Sequence, residues 1–101
     1  MKDITQEKEV EIYVTAIRRW GPISQIIKAI EEMGELQQAL AKYLNAPEAK
    51  TLEEAEAGVR PVREEMADVS IMLNQLALIF GSADEEEARK LQRLADRLGI
   101  E

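Results

Sequence analysis

Apolar residues recur along this chain at steps of three and four residues, the period of an amphipathic α-helix. A first stripe predicts a helix from about Gln6 to Arg19. Its members are Val10, Tyr13, Val14 and Ile17. Gly21-Pro22 ends this helix, and Pro22 suits the first position of the next one, where its missing N–H is not needed.

A second stripe predicts a helix from about Pro22 to Leu44, ended by Asn45-Ala46-Pro47. Its apolar face consists of Ile23, Ile27, Ile30, Gly34 and Ala41, widened by Ile26, Met33, Leu40 and Leu44. In a bundle such a face packs against neighbouring helices. Glu31, Glu32 and Glu35 form a compact acidic group to one side of it.

Residues 45–60 leave two alternatives open. Thr51-Leu52-Glu53-Glu54 has the pattern of a capping box, which favours a short helix from about Leu52 to Ala57, ended by Gly58. The other alternative is a mobile loop.

Two further helices follow. One is predicted from near Pro61 to Gly81 and is apolar around most of its circumference, so we expect it to be buried at the centre of the bundle. Ser82-Ala83-Asp84-Glu85 then predicts a capped fourth helix. The apolar stripe of the fourth helix is Leu91, Leu94, Ala95 and Leu98.

These elements predict a single domain, residues 1–101, that is an all-α antiparallel bundle of three to four main helices. The five Gly and three Pro residues are too few to suggest a loop-rich fold. The third helix is more apolar than one small bundle needs, and the fourth has a stripe of its own. We therefore expect a homodimer or homotetramer.

Charge and composition exclude several classes of function. Twenty acidic and thirteen basic residues give a net charge of −7, which argues against binding to a nucleic-acid backbone. The absence of Cys and His removes thiolate sites, imidazole ligands and histidine bases. No secretory signal is visible, and the longest apolar run, residues 69–80, is shorter than the roughly 20 residues of a membrane span. We expect a cytoplasmic protein.

A second acidic cluster suggests a chemical role for the acidic group on the second predicted helix. Glu65 and Asp68 lie one helical turn apart at the start of the most apolar helix. Unpaired carboxylates in such a place cost several kcal/mol each. Glu32 and Glu35 have the same spacing, so two facing pairs predict an all-oxygen site for Mg²⁺ or Mn²⁺. The alternative is two solvated acidic patches, which a chain so rich in glutamate can contain by chance.

The paired motif resembles the signature of the all-α nucleoside triphosphate pyrophosphohydrolases, the MazG-like proteins. The motif is Glu31-Glu32-x-x-Glu35 followed by Glu65-x-x-Asp68. The resemblance extends from about residue 15 to residue 98. It includes Trp20-Gly21, Gln25, Lys42-Tyr43, Ala67-Asp68-Val69, Gln75-Leu76 and Arg93-Leu94-x-x-Arg97-Leu98.

The resemblance implies Mg²⁺-dependent hydrolysis of a nucleoside triphosphate to the monophosphate and pyrophosphate. Carried over by position, the metal ligands would be Glu32, Glu35, Glu65 and Asp68. Glu31 would orient or deprotonate the attacking water or help to hold a second metal, and Lys42 would contact phosphate. Residues 45–60 contain no counterpart of a basic phosphate clamp. The alternative function is a non-enzymatic helical module whose acidic face binds a basic partner.

Five further residues are candidates for binding the substrate: Trp20, Gln25, Lys28, Asn74 and Gln75. Trp20 could stack on a base, but a single Trp at a helix junction is more often a core anchor. Gln25 could bond a base edge or be exposed. Asn74 and Gln75 could line a pocket or form bonds across a subunit interface.

Overall fold

The computed structural model describes residues 3–101, and within that range it contains helices and no strands. The helices are α1 (Gln6–Trp20), α2 (Pro22–Asn45), α3 (Leu52–Phe80) and α4 (Asp84–Leu98). The all-α prediction is confirmed.

The junction between α1 and α2 forms as its sequence predicts. Thr5 caps α1, its side chain accepting a hydrogen bond from the backbone N–H of Lys8 at 3.1 Å. Gly21 ends α1 with φ at 86°, a backbone conformation that favours glycine, and its N–H donates to the Ile17 carbonyl at 2.8 Å. Pro22 then begins α2.

The predicted break between Gly58 and Pro61 is wrong, because α3 is one continuous helix of 29 residues. Thr51 does cap it, accepting from the N–H of Glu54 at 3.0 Å. A glycine costs a helix about 1 kcal/mol, and an interior proline costs about 3 kcal/mol, because it removes one intrahelical hydrogen bond and its ring crowds the preceding turn. The strong helix formers around both residues, together with packing against α2, are sufficient to keep the helix intact.

α2 and α3 form an antiparallel hairpin, and α1 packs against both. Near its start α2 places Gln25 beside Gln75, and near its end it places Tyr43 beside Gly58. Buried Tyr13 ties α1 to this hairpin, because its hydroxyl donates to Glu9 at 2.9 Å and accepts from the amide of Asn74 at 3.2 Å.

The face of α2 that points inward is not its isoleucine face. Its buried residues are Gln25, Ala29, Glu32 and Ala39. By contrast Ile23 is 74% exposed and Ile30 62% exposed. The prediction that the apolar stripe packs in the bundle is therefore wrong within one chain. Glu32 occupies the interior face instead.

α3 is also less covered than its sequence predicts. Its only buried residues are Met72 and Gln75, so the expected burial on most sides is wrong for a single chain. Its exposed large apolar residues are Leu52, Met66, Ile71, Leu73, Leu78 and Phe80.

α4 stands apart from the bundle. No Cα atom of α4 lies within 8 Å of a Cα atom of the other three helices, and α4 is bent by 119° from α3. The predicted capping box does not form. Ala83 precedes the helix without a side-chain bond, while Ser82 Oγ accepts from the N–H of Asp84 at 3.2 Å. One chain is thus a three-helix bundle with a separate fourth helix.

Across residues 3–101 no single helix is both long and apolar enough to cross a membrane. Only α3 and α4 taken together, despite their bend, reach that length and hydropathy.

Candidate metal centre

Four carboxylates meet between α2 and α3. Each pair is spaced by one turn and so projects from one side of its helix, and the antiparallel hairpin turns the two pairs toward each other. One oxygen of each carboxylate lies within 4.8 Å of the others. The four residues are Glu32 and Glu35 of α2 and Glu65 and Asp68 of α3. They are called the carboxylate cluster below.

Two members of the cluster have buried oxygens without partners. Glu32 is only 6% exposed, and neither its Oε2 nor the Oε2 of Glu65 accepts a hydrogen bond. A buried polar atom without a partner is costly, and a charged one more so. Glu32 and Glu65 therefore do not belong to a solvated acidic face. Glu35 and Asp68 are exposed at the edge of the cluster.

A single cationic side chain compensates the cluster within the described part of the chain. Lys28 Nζ lies 3.2 Å from Glu32 Oε1, one turn away on α2. This contact raises the pKa of Lys28, with a smaller contribution from Glu31 and Glu35. Arg63, also on α3, is paired with Glu56. One positive charge faces four carboxylates, so the cluster is short of positive charge.

Burial raises the pKa of Glu65, and the negative charges of Glu35, Asp68 and Glu32 raise it further. A divalent cation would reverse this effect, because it favours the ionised form of each ligand. Because one oxygen of each carboxylate lies within 4.8 Å of the others, the four side chains are close enough to converge on one divalent cation.

The raised pKa of Glu65 predicts a pH effect in metal-free protein. A carboxyl group with a raised pKa in the folded state stabilises the fold most below its unfolded-state value, near 4.5, and this contribution is lost as the pH rises through the raised pKa. We therefore expect Glu65→Gln to unfold at a higher temperature than wild type at pH 7 in a chelator. The advantage should disappear below pH 4.5.

Thermal denaturation followed by circular dichroism across this pH range measures the effect. The control is Glu64→Gln, which changes the charge equally at an exposed neighbour outside the cluster. An equal gain from both substitutions would contradict the assignment to Glu65.

Two cavities lie near the carboxylate cluster, one that includes two of its members and one that includes Lys28, the ion-pair partner of Glu32. The first, of about 530 Å³, is lined by Trp20, Ser24, Gln25, Ile27, Lys28, Glu31, Met72 and Gln75. The second, of about 550 Å³, is lined by Lys42 and Tyr43 together with Glu35 and Glu65 of the cluster, and by neighbouring residues of both helices. A ligand in either cavity would lie against acidic residues.

The candidate binding residues divide between these cavities. Trp20 is 59% exposed, so its interpretation as a core anchor is wrong, and its ring borders the first cavity. Gln25 and Gln75 are both buried there, and Gln75 Oε1 has no hydrogen-bond partner. Lys42 borders the second cavity. Asn74 lines neither of these cavities, because its amide bonds to Tyr13.

Sequence reasoning did not single out Ser24 or Met72 as cavity residues. Ser24 carries no signal, since an isolated serine is common on a helix surface. Met72 belongs to the apolar run of α3, where periodicity gives no reason to separate cavity from core. The ion pair between Lys28 and Glu32 could have been predicted, because opposite charges four residues apart on a helix lie close together.

Comparison of the chain with protein-family models, with curated proteins and with solved structures gives no match. The chemistry of the carboxylate cluster and its cavities therefore carries the functional proposal.

Proposed function

We propose that the protein is a Mg²⁺-dependent nucleoside triphosphate pyrophosphohydrolase of the MazG-like type, acting on a canonical or modified NTP or dNTP in the control of nucleotide pools. The observation that carries this proposal is the half-buried carboxylate cluster, with two unpartnered oxygens, near two cavities. Its all-oxygen ligand set suits Mg²⁺, with Mn²⁺ as a substitute.

The carboxylate cluster would hold the cation, which supplies neutralisation of phosphate charge and orientation of the triphosphate. Glu31 lies at the border of the first cavity, one residue from Glu32, and is exposed. Its carboxylate accepts the proton of the attacking water. Water adds across the bridge between the α- and β-phosphoryl groups, which releases the monophosphate and pyrophosphate. Lys42 neutralises phosphate charge from the second cavity.

The first cavity suits the base of the nucleotide. The Trp20 ring is available for stacking, which contributes about 1–3 kcal/mol for a base in comparable sites. Gln75 Oε1 is a buried acceptor without a donor, and an N–H on the edge of a base would satisfy it. Gln25, buried beside it, offers a second carboxamide. Because a carboxamide pairs with any of the bases, these residues favour a nucleotide without fixing which one.

The test is pyrophosphate release from a panel of canonical and modified NTPs and dNTPs, with Mg²⁺, Mn²⁺ or Ca²⁺ and with a chelator. We expect turnover of at least one substrate with Mg²⁺ and none in the chelator. In parallel, a metal concentration of 100 times Kd should stabilise the fold by about 2.7 kcal/mol. Folded protein that turns over nothing and whose unfolding temperature ignores the metal would contradict the proposal. That result would favour the acidic interaction module.

We further propose that the working form is a homodimer or homotetramer. The support is the pair of apolar faces that a single chain leaves uncovered, one on α2 and one on α4. Contiguous exposed apolar surface of this kind marks sites of association.

A further inference from the structure

Lys28 occupies a special position beside the carboxylate cluster. Its Nζ contacts Glu32 Oε1 at 3.2 Å, but its side chain is 54% exposed while that of Glu32 is 8% exposed. The buried partner is fixed by the packing of α2 against α3, whereas the lysine reaches it from the surface on a flexible stem. Lys28 can therefore leave the contact without any movement of a helix.

The two oxygens of Glu32 are in different situations. Oε1 faces Lys28, and Oε2 is buried without a partner. A divalent cation held by the cluster would add two positive charges within a few ångströms of the ammonium group. Because like charges repel, a cation held by Glu32 weakens the ion pair between Lys28 and Glu32.

The Lys28 side chain is also within reach of a second site. Lys28 lines the first cavity, together with Trp20 and Gln25. An ammonium group released from Glu32 stays within that cavity, where it can pair with an anionic group of a ligand.

We propose that Lys28 is an internal counter-ion that holds Glu32 while the cluster is empty, competes with the divalent cation for Glu32, and then turns to the anionic part of the nucleotide. Cation binding and nucleotide binding are thereby coupled, and the coupling is reciprocal. This inference rests on the proposed metal site. It assigns Lys28 a positioning role and not a step of the hydrolysis.

The experiment measures Mn²⁺ and Mg²⁺ affinity by titration calorimetry, without nucleotide, for wild type, Lys28→Met and Lys42→Met. Both substitutions remove one positive charge from a cavity-lining position of α2. Only Lys28 makes an ion pair with a cluster carboxylate within the described residues. We expect Lys28→Met to bind the metal at least about fivefold tighter than wild type, which is the lower end of measured coupling factors. The gain in metal affinity should be clearly smaller for Lys42→Met.

Two further readouts separate this role from simple structural support. Without metal, Lys28→Met should unfold at a lower temperature than wild type because Glu32 loses its partner, and metal should raise that temperature by more than in wild type. Lys28→Arg keeps the charge and should retain the wild-type metal affinity to a large extent.

The outcomes distinguish the two proposals. Equal metal affinities for Lys28→Met and Lys42→Met would overturn the counter-ion role and leave the metal site standing. No metal binding by any folded variant would overturn both.

Discussion

Asp68→Asn is expected to lower the rate of pyrophosphate release by about a hundredfold or more. A metal ion supplies several kcal/mol of transition-state stabilisation in phosphoryl transfer, and each 1.4 kcal/mol corresponds to a factor of ten in rate. Asp68 is an exposed member of the carboxylate cluster, so its replacement removes one negative charge and exchanges one carboxylate oxygen for an amide nitrogen without opening the core. The measurement is kcat/KM for the best nucleotide at saturating Mg²⁺, together with the metal-dependent rise in unfolding temperature, which should shrink as well.

The matched control is Glu64→Gln, which removes one negative charge four residues before Asp68 on α3, from a residue that is exposed and outside the cluster. It should keep near-wild-type turnover and metal response. Circular dichroism of both variants should show the wild-type helical content, because neither position is buried. If the two variants lost activity to the same extent, the general acidity of α3, and not the cluster, would be responsible.

Helix ends that are marked by glycine and proline could in part be predicted from the sequence. The Gly21-Pro22 junction needs a positive φ followed by a residue suited to the first helical turn, and both requirements are visible in the residue types. Gly58 and Pro61 carry similar signals but lie within α3. There the helix continues because strong helix formers surround both residues and because α3 packs against α2. The packing is not visible in the local sequence.

The carboxylate cluster was predictable for a different reason. Two pairs at one-turn spacing can meet when their helices pack side by side, and consecutive helices of an antiparallel bundle do so. The partner of Glu32 was harder to identify. The spacing from Lys28 permits the ion pair, yet the same side chain is also within reach of a cavity. Only the folded structure shows that it pairs with Glu32.

The orientation of α2 was the main error, and its physical cause links the site to assembly. Hydrophobic periodicity places the isoleucine face inside, whereas the chain turns Glu32 inward and leaves Ile23 and Ile30 exposed. A helix with an acidic face in the interior and an apolar face outside is stable if a second surface covers the apolar face. α2 therefore has one interior face, which carries Glu32 of the cluster, and one exposed apolar face, which a neighbouring subunit would cover in the proposed oligomer.

Leu94→Glu is expected to dissociate the protein into single chains of 11.4 kDa. α4 has 15 residues, and none of its Cα atoms lies within 8 Å of a Cα atom of another helix of its own chain. An isolated helix of that length is marginal in water. Its stripe of Leu91, Leu94 and Leu98 is exposed in one chain. Burial of one leucine contributes about 1.5–3 kcal/mol. In a symmetric dimer the substitution removes the burial of two leucines, one from each chain, which raises the dissociation constant by at least about a hundredfold.

Light scattering after size exclusion, at several protein concentrations, measures the mass. Gln92→Glu is the control, since it adds the same charge to an exposed position of α4 outside the leucine stripe. It should retain the wild-type mass. Because α4 depends on its partner surface, Leu94→Glu should also lose helical signal, at most that of one 15-residue helix, while the α1–α3 bundle persists. A wild-type protein that is monomeric at all concentrations, with α4 still helical, would contradict association through this stripe.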